Sequence, residues 1–332
     1  IACLLLVSGA AAAPGDIYTA ASSLSHVKPT TSATYTITLT NAAGSPSRAG
    51  RATIGIPPGF SVQPTSVQAT TQAVGGCTAS LWVVDGPVSS GINLRRPGNN
   101  DTGLCPGATL TISFTATSAG DEATYTWATH LFVGETEEFA LNGSQPTVVV
   151  DGTRPVVTIG QKPTNPSNSR SANFSFTLSE LLGATCKLDN GPFAPCTSPI
   201  AYENLSDGPH TFTVAATDAA GNTAQDGYAW TVETRAPTVG VSSGPAPLTN
   251  SRLATFVFSA DEPSSFHCQL NGGSFLPCTS PASYQGLADG PHAFSVRPTD
   301  AIGNTGPTAS YGWRVDATAP ETTLGARPRS RT

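Results

Sequence analysis

At 332 residues the chain exceeds what one hydrophobic core usually supports, so it divides into two or three domains. Only 11% of its residues are charged and the formal net charge is −6, which leaves no basic excess to neutralise phosphates and excludes a nucleic-acid binder of the usual kind. Its 33 glycines and 28 prolines speak for many turns and fall short of a low-complexity composition.

The chain opens on an apolar stretch, Ile1 to Val7, that runs into the small residues Ala10 to Ala13. This is the pattern of a secretory signal, too short to span a bilayer. Residues 1–13 are read as a signal peptide cleaved near Ala12 or Ala13, and the lack of any methionine marks its leader as truncated. Cys3 admits a second reading as a lipid-modified cysteine, against which Leu4 to Val7 stay apolar where such a terminus turns polar. No later run is long and apolar enough for a membrane span, and the expected location is extracellular or cell-surface.

Residues 16–150 read as an all-β domain. Tyr35, Ile37 and Leu39 alternate with threonines, as do Leu110, Ile112 and Phe114, and Tyr125 and Trp127 follow. Period two places these side chains on one face of a strand. Pro57-Pro58 ends a strand and Pro106-Gly107 precedes another, so the prolines lie outside the ladders. Thr147 to Val150 form the closing strand, and Asp151 to Pro155 is a short linker, which predicts domains stacked in a monomeric rod.

The rest of the chain repeats itself with a period of 82 residues. From Pro155 to Thr223, aligned with Pro237 to Thr305, 33 of 69 positions are identical. The repeats are placed at 151–232 and 233–315, and Asp316 to Pro320 opens a third, truncated copy over 316–332. Within each copy apolar residues alternate: Phe174, Phe176 and Leu178; His210, Phe212 and Val214; Tyr228, Trp230 and Val232. Short strands with a wet face, turn signals such as Asp207-Gly208-Pro209 and no helical periodicity specify an all-β fold of antiparallel sandwiches.

Apart from Cys3, six cysteines remain, an even number for an oxidising compartment. The duplication pairs them locally, Cys186 with Cys196 and Cys268 with Cys278, which leaves Cys77 for Cys105. Direct pairing across Cys186 and Cys196 requires a three-residue loop, 190–192, with glycine at a positive φ. Closing so short a loop stabilises by about 3 kcal/mol, and the Cys77–Cys105 loop by about 3.5 kcal/mol. Two thiols with no second pair or histidine in register fall short of a metal site.

Cys186-x-Leu-Asp-Asn-Gly-x-Phe-x-Pro-Cys196-Thr-Ser-Pro, then Leu205-x-Asp-Gly-Pro-His-x-Phe-x-Val214, then Thr217-Asp-x-Ala-Gly-Asn222 resemble the bacterial Ig-like repeats of large secreted and surface proteins. The resemblance covers 151–320 and implies tandem Ig-like β-sandwiches serving as stalks, spacers or adhesive modules. It brings no catalytic residues. Ile56 to Phe60 and the strand after Gly107 are more loosely similar to another bacterial Ig-like module.

Gly240-Val241-Ser242-Ser243-Gly244 fits a nucleophile-elbow pattern, but Pro245 and Pro247 prevent the helix that must follow the serine. His210 and His292 fall in register with core residues and read as satisfied histidines at strand ends. Asp218, Asn222 and Glu180, with Asp151, Glu233 and Asp316 at the junctions, offer oxygens to calcium; the competing reading makes Asp218 and Asp300 acceptors inside tight Asp-x-x-Gly-Asn turns. The sequons at Asn100, Asn142, Asn173 and Asn204 read as incidental, and the basic tail at Arg327, Arg329 and Arg331 as a frayed end. A glycan-binding platform would need exposed aromatics, with Trp82 the best candidate and Tyr18 the second.

The reading is therefore a non-enzymatic secreted or surface protein of disulfide-clamped Ig-like modules, with no cofactor and a protein or glycan surface as its partner. The alternative is a set of accessory modules of a larger secreted enzyme.

Overall fold

The computed structural model describes residues 15–75, 77, 81–85, 88, 90–97, 103–134, 136–180, 183–322 and 325. The signal segment with Cys3, the sequon at Asn100 and the arginines of the tail lie outside the described residues. About half of the chain is strand, and Pro64–Ser66 is the sole helical turn among the described residues. The chain is all-β, as the period-two patterning predicts. Its contacts gather into two units, residues 1–158 with 178–186 and 214–226, and residues 159–177, 187–213 and 227–332.

In the first unit, Ser32–Asn41 pairs antiparallel with Thr109–Thr117, and Ile17–Ser22, Ala140–Leu141, Ser61–Val62 and Gln68–Gln72 extend that sheet. A second sheet orders Thr129–Phe132, Arg51–Gly55, Gly91–Arg95 and Val83–Val84. The inward residues of both meet in one core. Tyr35 stacks on Phe114 with centroids 5.8 Å apart, and Trp127 packs on both rings at 5.2 and 5.1 Å. Ile54, Ile92, Leu94 and Leu131 supply the opposite layer. The outward partners are hydroxyl residues: Thr34, Thr36, Thr38 and Thr40 stand opposite Thr115, Ser113, Thr111 and Thr109.

The second repeat shows the sandwich in full. Val239–Ser243, Ala254–Ala260 and Ala282–Tyr284 form one sheet. The facing sheet orders Leu248–Thr249, Ala309–Val315, Gly290–Thr299, Ser265–Leu270 and Leu276–Cys278. Between them Phe256 stacks on Phe294 at 4.1 Å and Trp313 packs against Phe256 at 5.1 Å. The first repeat sets strands at matching positions, Ala172–Phe174 and Ile200–Tyr202 corresponding to Ala254–Phe256 and Ala282–Tyr284 in register as well as in sequence. Its Phe174–Phe212 stack, at 4.2 Å, reproduces the aromatic centre.

Two details depart from the sequence reading. Not every pairing is antiparallel: Ala140–Leu141, His26–Val27 and Leu248–Thr249 each add two residues in parallel to a strand distant in sequence. The cysteine hairpin also differs. Cys268 stands opposite Leu276, and Phe266 opposite Cys278, so the cysteines face each other diagonally. The chain reverses at Asn271 and Gly272, at φ 51° and 74°, with the Gly273 N–H on the Leu270 carbonyl, and one extra residue on the returning side sets Cys268 opposite Leu276 and not Phe275. In the first repeat Asp189, at φ 53°, takes the left-handed position, one residue before the loop expected at 190–192. Asp and Asn tolerate that conformation, and both side chains accept a backbone N–H from the next strand, Thr211 at 2.7 Å and Ala293 at 3.0 Å.

Candidate functional site at the linkers between repeats

The residues that recur without facing a core converge on the linkers. Asp218 closes a tight turn with Gly221 at φ 89°: the Gly221 N–H donates to the Asp218 carbonyl, and the Asn222 N–H to Asp218 Oδ1 at 2.7 Å. The Asn222 amide then donates to Asp218 Oδ2 at 2.9 Å and reaches the linker carbonyl of Asp151 at 2.8 Å. The second copy does the same one repeat later. Asn304 Nδ2 donates to Asp300 Oδ2 at 2.9 Å, to the Glu233 carbonyl at 3.0 Å and to Glu233 Oε2 at 2.9 Å. Burial pushes the Asp300 carboxyl up, but the N–H donors of Asn304, Ile302 and Gly303 outweigh it and hold the group below the usual range. Each repeat thus grips the segment that leads into it. Glu180, half-buried, is not a partner of Asp218 or Asn222.

A second constellation grips the segment that leads out. Arg170 Nη2 lies 3.1 Å from Asp207 Oδ1, its Nε donates to Thr234 Oγ1 at 3.1 Å, and the Thr234 hydroxyl donates to Asp207 at 2.7 Å. In the next copy Arg252 Nη2 lies 2.8 Å from Asp289, which also accepts the Ala317 N–H and the Thr318 hydroxyl. Those donors, Thr318 first, hold the Asp289 carboxyl low. Main-chain bonds run parallel to them, the Glu233 N–H to the Ser167 carbonyl and the Asp316 N–H to the Thr249 carbonyl, both 2.9 Å. Arg235 adds an ion pair of 2.6 Å with Asp261, whose Oδ1 accepts the Thr238 N–H. Residues 233–238 are therefore held by both repeats. The earlier linker is held alike: Glu122 accepts the Gly152 N–H and the Thr153 hydroxyl, both at 3.0 Å, opposite Asn222.

The remaining candidates fall elsewhere. Cys77 is bonded to Cys105 and Cys268 to Cys278, with Cα atoms 6.5 and 5.8 Å apart, and Cys186 and Cys196 are disulfide-bonded as well. Trp82 and Tyr18 do not form a sugar platform: both are buried, and the Tyr18 hydroxyl donates to the Thr129 carbonyl at 2.5 Å. The alternation around Trp82 is too short for a sequence reading to show which way it points. Trp127, Trp230 and Trp313 are core residues, as their spacing predicts. Ser242 lies in a strand with a register shift between Val241 and Ser243, its hydroxyl on the Val257 carbonyl, so no nucleophile elbow forms. His210 is buried with both ring nitrogens bonded, and His292 is held in the same way. Asn142 and Asn204 are exposed, and Asn173 sits in a strand. Among the described residues no three of His, Cys, Asp or Glu group as metal ligands, and no helix is long and apolar enough to cross a membrane.

No family model and no curated protein matches the chain. Among solved structures it is similar to a 1.5-MDa bacterial ice-binding adhesin studied for retention on the host cell surface, at 16% identity over 91% of this chain and 99% of that one, TM-score 0.38. It is also similar to fibronectin(III)-like modules of CbhA from Clostridium thermocellum, at 15% identity over 52% of this chain and all of that one, TM-score 0.33. A non-cellulosomal cohesin from Archaeoglobus fulgidus shares 10% identity over 41% of this chain and 91% of that one, TM-score 0.28. Overlaps this loose say nothing of what the chain does.

Proposed function

We propose that the chain is a non-enzymatic spacer of an extracellular or cell-surface protein, whose tandem Ig-like repeats keep a fixed mutual orientation. The observation that carries this reading is the double grip on residues 233–238, by Arg170 and Asp207 on one side and Asn304 and Asp261 on the other. Linkers without tertiary bonds sample many orientations, and each main-chain or ionic tether removes part of that freedom. Three disulfide-bonded pairs suit an oxidising compartment, where such bonds persist. Its partner is a protein or glycan at that surface.

The test is the distance distribution between spin labels carried by unnatural amino acids at the exposed Asn173 and Thr255 in the full chain. A single narrow distribution is expected, broadened when Asn304→Ala and Arg235→Ala are combined. A wild-type distribution already as broad as the variant's would overturn the reading.

A further inference from the structure

His210 and His292 occupy the same place in the two repeats, and their surroundings differ in one atom that decides protonation. Each imidazole bridges the cysteine hairpin to the loop that carries the linker-gripping aspartate. His210 Nε2 lies 2.8 Å from the Ser206 carbonyl, next to Asp207; His292 Nε2 lies 2.8 Å from the Ala288 carbonyl, next to Asp289. The other nitrogen faces the turn residue. For His292 that is the Asn271 amide, whose Nδ2–H donates to Nδ1 at 2.9 Å while its Oδ1 accepts the Ala293 N–H. A neutral ring with its proton on Nε2 satisfies both contacts. For His210 it is the Asp189 carboxylate, with Oδ2 at 2.8 Å from Nδ1, and a carboxylate only accepts. Both nitrogens of His210 must donate, which only the imidazolium does.

We propose that the grip of the first repeat on its outgoing linker depends on a proton at His210, whereas that of the second repeat does not. This rests on the spacer reading above and adds a regulation to it. When the ring loses a proton, one tether must go. Asp189 is pinned through Oδ1 by the Thr211 N–H at 2.7 Å, so its carboxylate stays against Nδ1 and retains the stronger, charge-assisted bond. Nε2 is left bare against the Ser206 carbonyl, and the loop that positions Asp207 toward Thr234 loses one of its anchors, keeping the Leu205 N–H on the Arg170 carbonyl at 2.9 Å. The other groups around the ring are few: Lys187 lines the same cleft with Asp189, Asp207 is paired with Arg170, and Trp230 covers the ring at 5.5 Å with no charge. Burial pulls the His210 pKa down, but the bonds to Ser206 and Asp189 outweigh it and set it above the ordinary histidine value. The sign follows: the stabilisation is fully present below the ordinary value and is lost as pH rises through the raised one.

The readout is amide exchange of the intact chain, corrected for intrinsic pH dependence, at the Glu233 N–H, with the Asp316 N–H as its counterpart in the second repeat. Protection at Glu233 is expected to fall several-fold from mildly acidic to mildly alkaline pH while that at Asp316 holds. Asp189→Asn, which copies the second repeat, should make Glu233 follow Asp316. Constant protection at Glu233 across the titration of His210, or an unchanged slope in Asp189→Asn, overturns the proposal. Either result leaves the spin-label distances, and with them the spacer reading, untouched.

Discussion

Asn222 is the residue on which the first linker turns. Its side-chain amide is buried and divides its two hydrogens between the carboxylate of its own turn and the main chain of the linker. Asn222→Ala strands Asp218 Oδ2 and removes the donor from Asp151, and an unsatisfied buried acceptor costs about 1–3 kcal/mol. The expected result in denaturant unfolding is a loss of that order, with the slope of the transition unchanged; a loss below half a kcal/mol would mean that water replaces the amide without cost. Asp218 and Asn222 were legible in the sequence because Asp-x-x-Gly-Asn is a local motif whose hydrogen bonds close within five residues. Arg170, Asp207 and Thr234 were not. They lie 37 and 64 residues apart, and taken singly each looks like a solvated surface residue. The only signal was the recurrence of Arg170 and Asp207 at Arg252 and Asp289, which sequence alone does not separate from the general identity of the repeats; Thr234 does not recur, since Ala317 stands in its place and the hydroxyl comes one residue later from Thr318.

At the scale of elements, the cysteine hairpin shows how one residue of turn geometry moves a whole register. Period-two alternation places the strands well, but it does not say where the chain reverses, and here Asp189 and Asn271 take a conformation expected of a glycine. Because Asn271 sits at φ 51°, a β-branched residue there must either leave the left-handed region or accept about 1–2 kcal/mol of steric cost. It would also lose the bond to the Ala293 N–H. Asn271→Val is therefore expected to lower the thermal midpoint measurably with the disulfide intact, and Asn271→Gly to lower it less. Equal effects would show that the side-chain bond, not the backbone, sets the turn. The outer strand of this hairpin, Leu276–Cys278, has Pro277 at its centre. Proline offers no N–H to an incoming strand, so the sheet edge resists pairing with other chains.

For the molecule as a whole, the core was readable because it is built almost wholly from alternating strands, and the aromatic residues that alternate with threonine and serine are those that stack inside. What joins the repeats is of another kind, a set of polar bonds between residues brought together only by the fold. Those bonds bear on how the linkers are stiffened. Calcium at such junctions needs carboxylate and carbonyl oxygens free to point at one ion. Here both carboxylate oxygens of Asp300 accept N–H donors, Asp289 is taken by Thr318, Ala317 and Arg252, and Glu233 by Asn304 and the Arg235 N–H. Recruiting them to a cation would first break the bonds that hold the linker. A chelator added to the purified chain at neutral pH should therefore leave its melting temperature where it was, and added calcium should not raise it. A drop of several degrees on chelation would show that the carboxylates exchange their N–H partners for an ion, and that the linkers owe their order to metal.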